Sequence, residues 1–259
     1  PEGYADFHVG VERHRQWRSG LRPQVIFRFD ADHPFNPLPG DQGFPMLEWG
    51  LNWCVSGLCH QYLTLHAAVL ERNGRALILP APSGSGKSTL CAGLVFSGWR
   101  LLSDELALID PTSGWVTPLP RPVSLKNASI EVIRRFAPQV QFGRLVHETQ
   151  KGVVGHFKPP IDAVQRGAER ARPAWLVLPR YQSDASPRFS ALRHGQMFMR
   201  LLDNAFNYHV HGRAGFDRLG ELVEQCDCLE FTYSRLEDAA RLFDRLEREG
   251  ASAVLDGAP

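Results

Sequence analysis

Residues 81–89 read Ala81-Pro82-Ser83-Gly84-Ser85-Gly86-Lys87-Ser88-Thr89. Two glycines followed by lysine and serine are typical of a loop that wraps around phosphate groups. The preceding residues 76–79 form an apolar run that predicts a buried strand, and residues 89–96 have the apolar spacing of a helix. The sequence therefore predicts a strand, a phosphate-binding loop and a helix in succession.

The residue types in this loop suit a nucleoside triphosphate. Gly84 and Gly86 accept backbone angles that other residues resist, so successive N–H groups can turn toward a polyphosphate at the positive end of a helix. Lys87 would reach the β- and γ-phosphates, and the Ser88 hydroxyl would ligate Mg²⁺. We therefore expect ATP and Mg²⁺ as cofactors. The predicted binding residues are Ser83, Gly84, Ser85, Gly86, Lys87, Ser88 and Thr89.

An acidic pair follows the loop at a short distance. Residues 99–103 read as a strand that ends in Asp104 and Glu105, 17 and 18 residues after Lys87. In motor ATPases the acidic strand usually lies much further along the chain. A carboxylate here can face the γ-phosphate and accept the proton of an attacking hydroxyl, as the general base of a kinase does. A solvated pair at a strand end is the alternative.

Three blocks of this sequence resemble the HPr kinase/phosphorylase family and its HPr-kinase-related members, which include kinases of peptides and of free serine. Residues 65–70 resemble the histidine-bearing strand beside the phosphate loop of that family. Residues 83–88 match its Ser-Gly-x-Gly-Lys-Ser loop, and residues 98–105 fall where it has Gly-x-x-Leu-x-x-Asp-Asp. The resemblance covers about residues 60–180.

The resemblance implies both a fold and two residue roles. The fold would be a P-loop nucleotide-binding α/β domain of the HPr kinase/PEP carboxykinase-like type, with a mixed central sheet flanked by helices. Asp104 would be the general base. Glu105 would take the place of the second acid of the family and, with Ser88, would support the metal.

A later block departs from the family pattern. The bifunctional enzymes carry Glu-x-Arg-Gly-x-Gly, and the nearest segment here is residues 148–156. When Lys151 and Gly152 are laid over Arg-Gly, Thr149 stands where the acid should be. We therefore expect a kinase-only relative without phosphorylase activity. Lys151 could bring positive charge to the transferred phosphoryl group, or it could be an ordinary loop lysine.

Two further residues are candidates for the site. His66 could contact phosphate or tune Asp104 electrostatically, or it could be a histidine satisfied within the core. Arg180 follows an apolar strand at residues 174–179, whose carboxyl end should open on the nucleotide side of an α/β sheet. It is therefore a candidate for contact with phosphate or acceptor.

Composition limits the class of protein. The formal charge of +1 over 259 residues gives no reason to expect nucleic acid or an anionic membrane as partner. Residues 51–70 contain no Asp, Glu, Lys or Arg, but their polar members favour a mostly buried helix leading into a strand over a membrane span. Five cysteines, an odd number, favour free thiols in a reducing cytoplasm over a disulfide framework.

The whole chain, 1–259, is expected to form one continuous domain. Residues 1–45 are expected to form an antiparallel flap on the main sheet, residues 60–180 the nucleotide and catalytic core, and residues 195–259 the C-terminal helices and strand. The predicted elements are a hairpin over 106–119, a strand over 228–233, and helices over 196–206, 216–224 and 236–249.

The sequence thus predicts an ATP- and Mg²⁺-dependent kinase that transfers the γ-phosphoryl group to a hydroxyl. The acceptor would be of the serine type, on a peptide, a protein or a small molecule, and a homo-oligomer is plausible from the resemblance. Two alternatives remain at this point: an NTP-hydrolysing switch or ATPase, and a catalytically silent nucleotide-binding partner protein.

Overall fold

The computed structural model describes residues 5–14, 23–82 and 84–255. The strands are β1 (Val9–His14), β2 (Gln24–Phe29), β3 (Leu38–Pro39), β4 (Leu63–Arg72), β5 (Arg75–Pro80), β6 (Arg100–Ser103), β7 (Leu106–Ile109), β8 (Val116–Thr117), β9 (Val123–Lys126), β10 (Val146–Thr149), β11 (Gly152–Phe157), β12 (Arg172–Tyr181), β13 (Arg188–Ala191) and β14 (Asp227–Tyr233). The helices are α1 (Gly43–Leu58), α2 (Lys87–Phe96), α3 (Ala128–Phe136), α4 (Ile161–Gln165), α5 (His194–Asn204), α6 (Gly212–Gln225), α7 (Leu236–Glu249) and α8 (Ala251–Leu255).

A mixed central sheet organises the molecule. Its strands lie in the order β13-β14-β12-β5-β4-β7-β8, and β6 also pairs with β4. Strands β5, β12 and β14 run parallel to one another, whereas β4 runs antiparallel to β5. The protein is therefore a mixed α/β fold with helices flanking a central sheet, as the sequence predicts. The carboxyl ends of β5, β12 and β14 meet at one edge of this sheet.

Residues 67–70 of β4 and 76–79 of β5 are continuous apolar runs because both faces of the sheet are covered there. Side chains on one face pack with α2 and α7, and those on the other pack with α5 and α6. Successive residues of a strand point to opposite faces, so a strand buried on both sides needs a continuous apolar run. The alternation is strict: Ala68, Leu70, Leu77 and Leu79 belong to the first core, and Ala67, Val69, Ala76 and Ile78 to the second.

Two smaller sheets accompany the central one. Strands β1, β2 and β3 form an antiparallel sheet that packs on α1. The small core between them contains Phe27 from β2 and Met46 and Cys54 from α1. The region expected to be a flap on the main sheet is thus a separate sheet that packs on α1, with residues 1–4 and 15–22 outside the described part of the chain. Strands β10, β11 and β9 form the third sheet.

The uncharged stretch 51–70 is divided between two elements. Helix α1 begins earlier than expected, at Gly43, and ends at Leu58, before β4 begins at Leu63. The helix is not mostly buried, because Trp53 and Leu58 are exposed whereas Met46 and Cys54 point into the small core. None of the helices in the described ranges combines the length and the apolar character needed to cross a bilayer.

Candidate functional site

The glycine loop, residues 81–86, joins the end of β5 to the start of α2. Gly84 and Gly86 have φ angles of +90° and +91°, in the left-handed region that favours glycine. At Gly86 a side chain is also excluded by space, because a Cβ atom would lie 2.6 Å from the Tyr233 hydroxyl oxygen. The loop is held from two neighbouring strands. The Tyr233 hydroxyl donates to the Gly86 carbonyl at 3.0 Å, and the Tyr181 N–H donates to the Ser85 carbonyl at 3.1 Å.

The loop opens on a cavity of about 720 Å³ at the carboxyl edge of the sheet. Side chains from the loop, from the central sheet, from the β9–β11 region and from α3 line this cavity. Its floor carries Lys87, His66 and Glu105. Of the predicted residues, the cavity brings together Gly84, Gly86, Lys87, Ser88, Thr89, His66, Glu105 and Lys151.

Lys87 is the buried cation of this floor, with only 5% of its surface exposed. Its ammonium group donates to the Asp104 carbonyl at 2.9 Å and to Glu105 Oε2 at 3.3 Å. His66 Nε2 lies 3.1 Å from the same Glu105 oxygen. Burial opposes ionisation of Glu105, but the bond with His66 and the charges of Lys87 and Lys126 outweigh it and hold the Glu105 pKa well below its ordinary range. Lys87 and Glu105 therefore form an ion pair.

Asp104 is buried beside this pair and has a different character. Burial and the neighbouring Glu105 charge raise the pKa of Asp104 to about 6, against the opposing effects of Lys87, the Ser124 amide and the Ser88 hydroxyl. The Ser124 N–H donates to its Oδ2 at 3.2 Å. Its Oδ1 is buried and has no hydrogen-bond partner among the described residues. Asp104 lies behind the cavity wall, whereas Glu105 lines it.

The wall formed by β9 and the β10–β11 turn supplies two more lysines, Lys126 and Lys151. Asn127 ties them together, because its side-chain amide donates to the Lys151 carbonyl at 3.1 Å and accepts from the Val153 N–H at 3.0 Å. The Lys151 ammonium lies 5.2 Å from the centre of the Trp49 ring. Burial, together with the charges of Lys126 and Lys87, lowers the Lys151 pKa. These lysines give the cavity an excess of positive charge.

Asn127 reaches this position through an unusual backbone conformation. Its φ of 52° and ψ of −126° are costly for a residue with a side chain. Gly152, with φ of +80°, is required opposite it, since a Cβ atom there would lie 2.2 Å from Asn127 Oδ1. The two residues fix the β10–β11 turn against β9.

Two predicted residues, Arg180 and Ser85, lie at a second cavity, and one lies outside the described ranges. Arg180 is inside β12 rather than after it, and it lines a second cavity of about 530 Å³ together with Ser85 and Arg200. Its neighbour Tyr181 lines the main cavity instead, because successive strand residues point to opposite sides. Ser83 falls outside the described residues.

Several residues of the cavity were not predicted from the sequence. They come from distant segments with no motif of their own: Ser124, Lys126, Asn127, Tyr181 and Tyr233. Only Tyr181 and Tyr233 carried a usable signal, because each ends a strand parallel to β5 and therefore had to lie at the edge where the loop opens.

The arrangement offers ligands for a divalent cation. The Ser88 hydroxyl and the Glu105 carboxylate both line the cavity, and both are hard oxygen donors of the kind that Mg²⁺ prefers. In the described part of the chain, no group of three or more His, Cys, Asp or Glu side chains could hold a metal alone. A cation here would need further oxygens, such as those of phosphate and water.

Comparison with known proteins gives one partial match. The family model described as SynChlorMet cassette protein ScmC matches residues 54–126, slightly more than a quarter of the chain. The matched stretch contains His66, the glycine loop, the acidic pair and Lys126. No curated protein matches the chain.

Proposed function

We propose that this protein is an ATP- and Mg²⁺-dependent phosphotransferase, of the P-loop type found in HPr-kinase-related proteins, that phosphorylates a hydroxyl group. The observation that carries the proposal is the pairing of Lys87 with Glu105 at the start of α2, in a cavity lined by the glycine loop. A buried lysine at a helix N-terminus, beside glycines with positive φ, is suited to polyphosphate.

The phosphates would be held by this chain in three ways. Backbone N–H groups of the loop and of the first turn of α2 would donate to them, since these groups have no partner within the helix. Lys87 would exchange its bond with Glu105 for bonds with phosphate oxygens. Lys126 and Lys151 would balance negative charge from the opposite wall. When bound, Mg²⁺ would neutralise charge on the phosphates, with Ser88 and Glu105 as the oxygen ligands available to it.

Asp104 is our choice for the general base. It is buried below the cavity lining, so its carboxylate would reach the acceptor hydroxyl only through a shift of that lining when the substrates bind. A catalytic base works best when its pKa lies near the working pH, and the pKa of Asp104 is raised to about 6. The strongly lowered pKa of Glu105 makes that residue a poor proton acceptor and a better partner for cations. His66 would orient Glu105 through their 3.1 Å contact.

All five cysteines are free thiols, which agrees with the cytoplasmic setting that we propose.

The acceptor belongs to the serine type of hydroxyl, on a peptide, a protein or a small molecule. The excess of lysine over acid in the cavity is what we expect of a protein that binds phosphate.

Transfer from γ-labelled ATP with Mg²⁺ into fractions of a cell lysate tests this proposal. We expect the wild type to label an acceptor, and Asp104→Asn to bind ATP normally but to lose at least about a hundredfold in rate, the scale of general base catalysis. Glu105→Gln serves as the matched change. It should raise the Mg²⁺ concentration needed for half-maximal transfer without abolishing proton transfer.

Three results would contradict parts of the proposal. Label released only as inorganic phosphate indicates a hydrolase, and no release at all indicates a silent binding protein. Normal transfer by Asp104→Asn would remove Asp104 from the role of base.

A further inference from the structure

The cavity has two chemically different ends. In the central sheet, β4 lies on one side of β5, while β12 and β14 lie on the other. The β4 side carries His66 and Glu105. The opposite side carries Tyr181 and Tyr233, the last residues of β12 and β14. The glycine loop at the end of β5 stands between them, so a ligand whose phosphates lie on the loop extends toward one end or the other.

The two tyrosines at the second end differ in their freedom to contact a ligand. Tyr233 is buried and its hydroxyl is engaged by the Gly86 carbonyl, so it supports the loop. Tyr181 has 55% of its surface exposed and meets the Tyr233 ring edge-on, with 5.8 Å between ring centres. Its backbone N–H, rather than its ring, holds the loop. The ring of Tyr181 therefore remains available at the mouth of the cavity.

Aliphatic side chains complete this end. Leu236, at the start of α7, also lines the cavity at this end. Val132, on α3, lines the cavity too and is 42% exposed, whereas Ile130 and Ile133 of the same helix are buried. The lining contributed by β12, β14 and α7 includes no charged side chain among the described residues. An exposed aromatic ring beside aliphatic groups suits a flat, weakly polar ring system.

We propose that Tyr181, with Val132 and Leu236, binds the base of the nucleotide whose phosphates the glycine loop holds. This inference rests on the proposed function, because it assumes that the loop binds polyphosphate. Two side-chain hydroxyls at this end already donate to carbonyls, Tyr233 to Gly86 and Ser234 to Ala185 at 2.8 Å, and the third belongs to Tyr181 itself. We expect recognition to rest on stacking against the Tyr181 ring, so the site should accept adenine and guanine almost equally.

Calorimetric titration with three probes tests the inference. Mg²⁺–ADP and Mg²⁺–GDP carry a base, whereas Mg²⁺–pyrophosphate carries none. We expect Tyr181→Ala to weaken ADP and GDP binding about tenfold or more, which is the scale of stacking on an aromatic side chain, and to leave the pyrophosphate Kd within twofold of wild type. Tyr181→Phe should retain wild-type affinity for all three. Phe216→Ala is the control for surface truncation, because Phe216 is an exposed aromatic residue on α6 that does not line the cavity.

The remaining outcomes overturn the inference in distinguishable ways. Equal losses for ADP and pyrophosphate in Tyr181→Ala mean that Tyr181 acts through the loop and not on the base. Unchanged ADP binding in that variant places the base elsewhere while the proposed function stands. A tenfold or greater preference for one base contradicts recognition by stacking alone. A wild-type protein that binds neither ADP nor pyrophosphate removes the proposed function and this inference together.

Discussion

Single residues in this protein carry charge and strain that their local sequence does not reveal. Asp104 and Glu105 are neighbours in the chain, yet the pKa of Asp104 is raised to about 6 while that of Glu105 is held well below its usual range. The sequence predicts the acidic pair from its place after a strand. The family resemblance suggests their roles, but the sequence cannot predict the opposite pKa shifts, because these depend on which carboxylate meets Lys87 and His66 in space.

His156 gives a pH prediction at this scale. Its ring lies against Phe44 with 5.1 Å between ring centres, and its Nε2 is buried without a partner among the described residues. Burial, then the charges of Lys126 and Arg121, lower the His156 pKa to about 4. The unfolded chain, with a histidine pKa near 6.5, binds a proton more readily than the folded one, so stability is present above pH 6.5 and is lost as the pH falls toward 4.

We expect this histidine to cost about 2 kcal/mol of unfolding free energy between pH 7 and pH 5. Urea denaturation at the two pH values measures it. His156→Gln should show a correspondingly smaller loss over the same range. An identical pH dependence in wild type and variant would show that His156 is not the titrating group.

At the scale of elements, the prediction from sequence succeeds where the apolar pattern is continuous. The strand of residues 76–79 and the helix of residues 236–249 appear as β5 and α7, because each buries a face that the sequence marks. Helix α1 was less predictable. Met46 and Leu47, in its first half, pack against the β1–β3 sheet, and this long-range contact cannot be seen in the local sequence. The predicted start of the helix therefore lies too late in the chain.

The contact of α1 with β2 gives a prediction about packing. A Cβ atom at Gly50 would lie 2.2 Å from the Phe27 ring, whereas one at Gly57, on the same helix, would meet nothing within 4 Å. Gly50→Ala should therefore destabilise the protein by about 1–3 kcal/mol, as overpacking does. Gly57→Ala should stabilise it by up to about 1 kcal/mol through helix propensity. Chemical denaturation of the two variants measures both, and a gain in stability from Gly50→Ala would contradict the packing described.

At the scale of the whole molecule, strand order decides the site. The sheet places β4 on one side of the glycine loop and β12 and β14 on the other, although these strands are far apart in the chain. The sequence predicts the loop, the acidic pair, His66 and Lys151, all of which have a motif or a resemblance behind them. It does not predict Lys126, Asn127 or Tyr181, because their place in the cavity follows from long-range pairing. Arg180, the predicted residue of this strand, lines the second cavity instead, because it points to the opposite side of β12 from Tyr181.

We expect the main cavity, at the glycine loop, to bind a Mg²⁺–nucleotide through Lys87. Calorimetric titration with the non-hydrolysable analogue AMP-PNP, in the presence of Mg²⁺, tests it most directly in three proteins: wild type, Lys87→Met, and Lys158→Met as the control. Lys158 is an exposed lysine that does not line the cavity. Thermal melts confirm that each variant is folded. We expect one site per chain in the wild type and the control, and an affinity at least about tenfold lower in Lys87→Met, the scale of a charged contact to phosphate. Absence of binding in the wild type, or equal affinity in Lys87→Met, would contradict the claim.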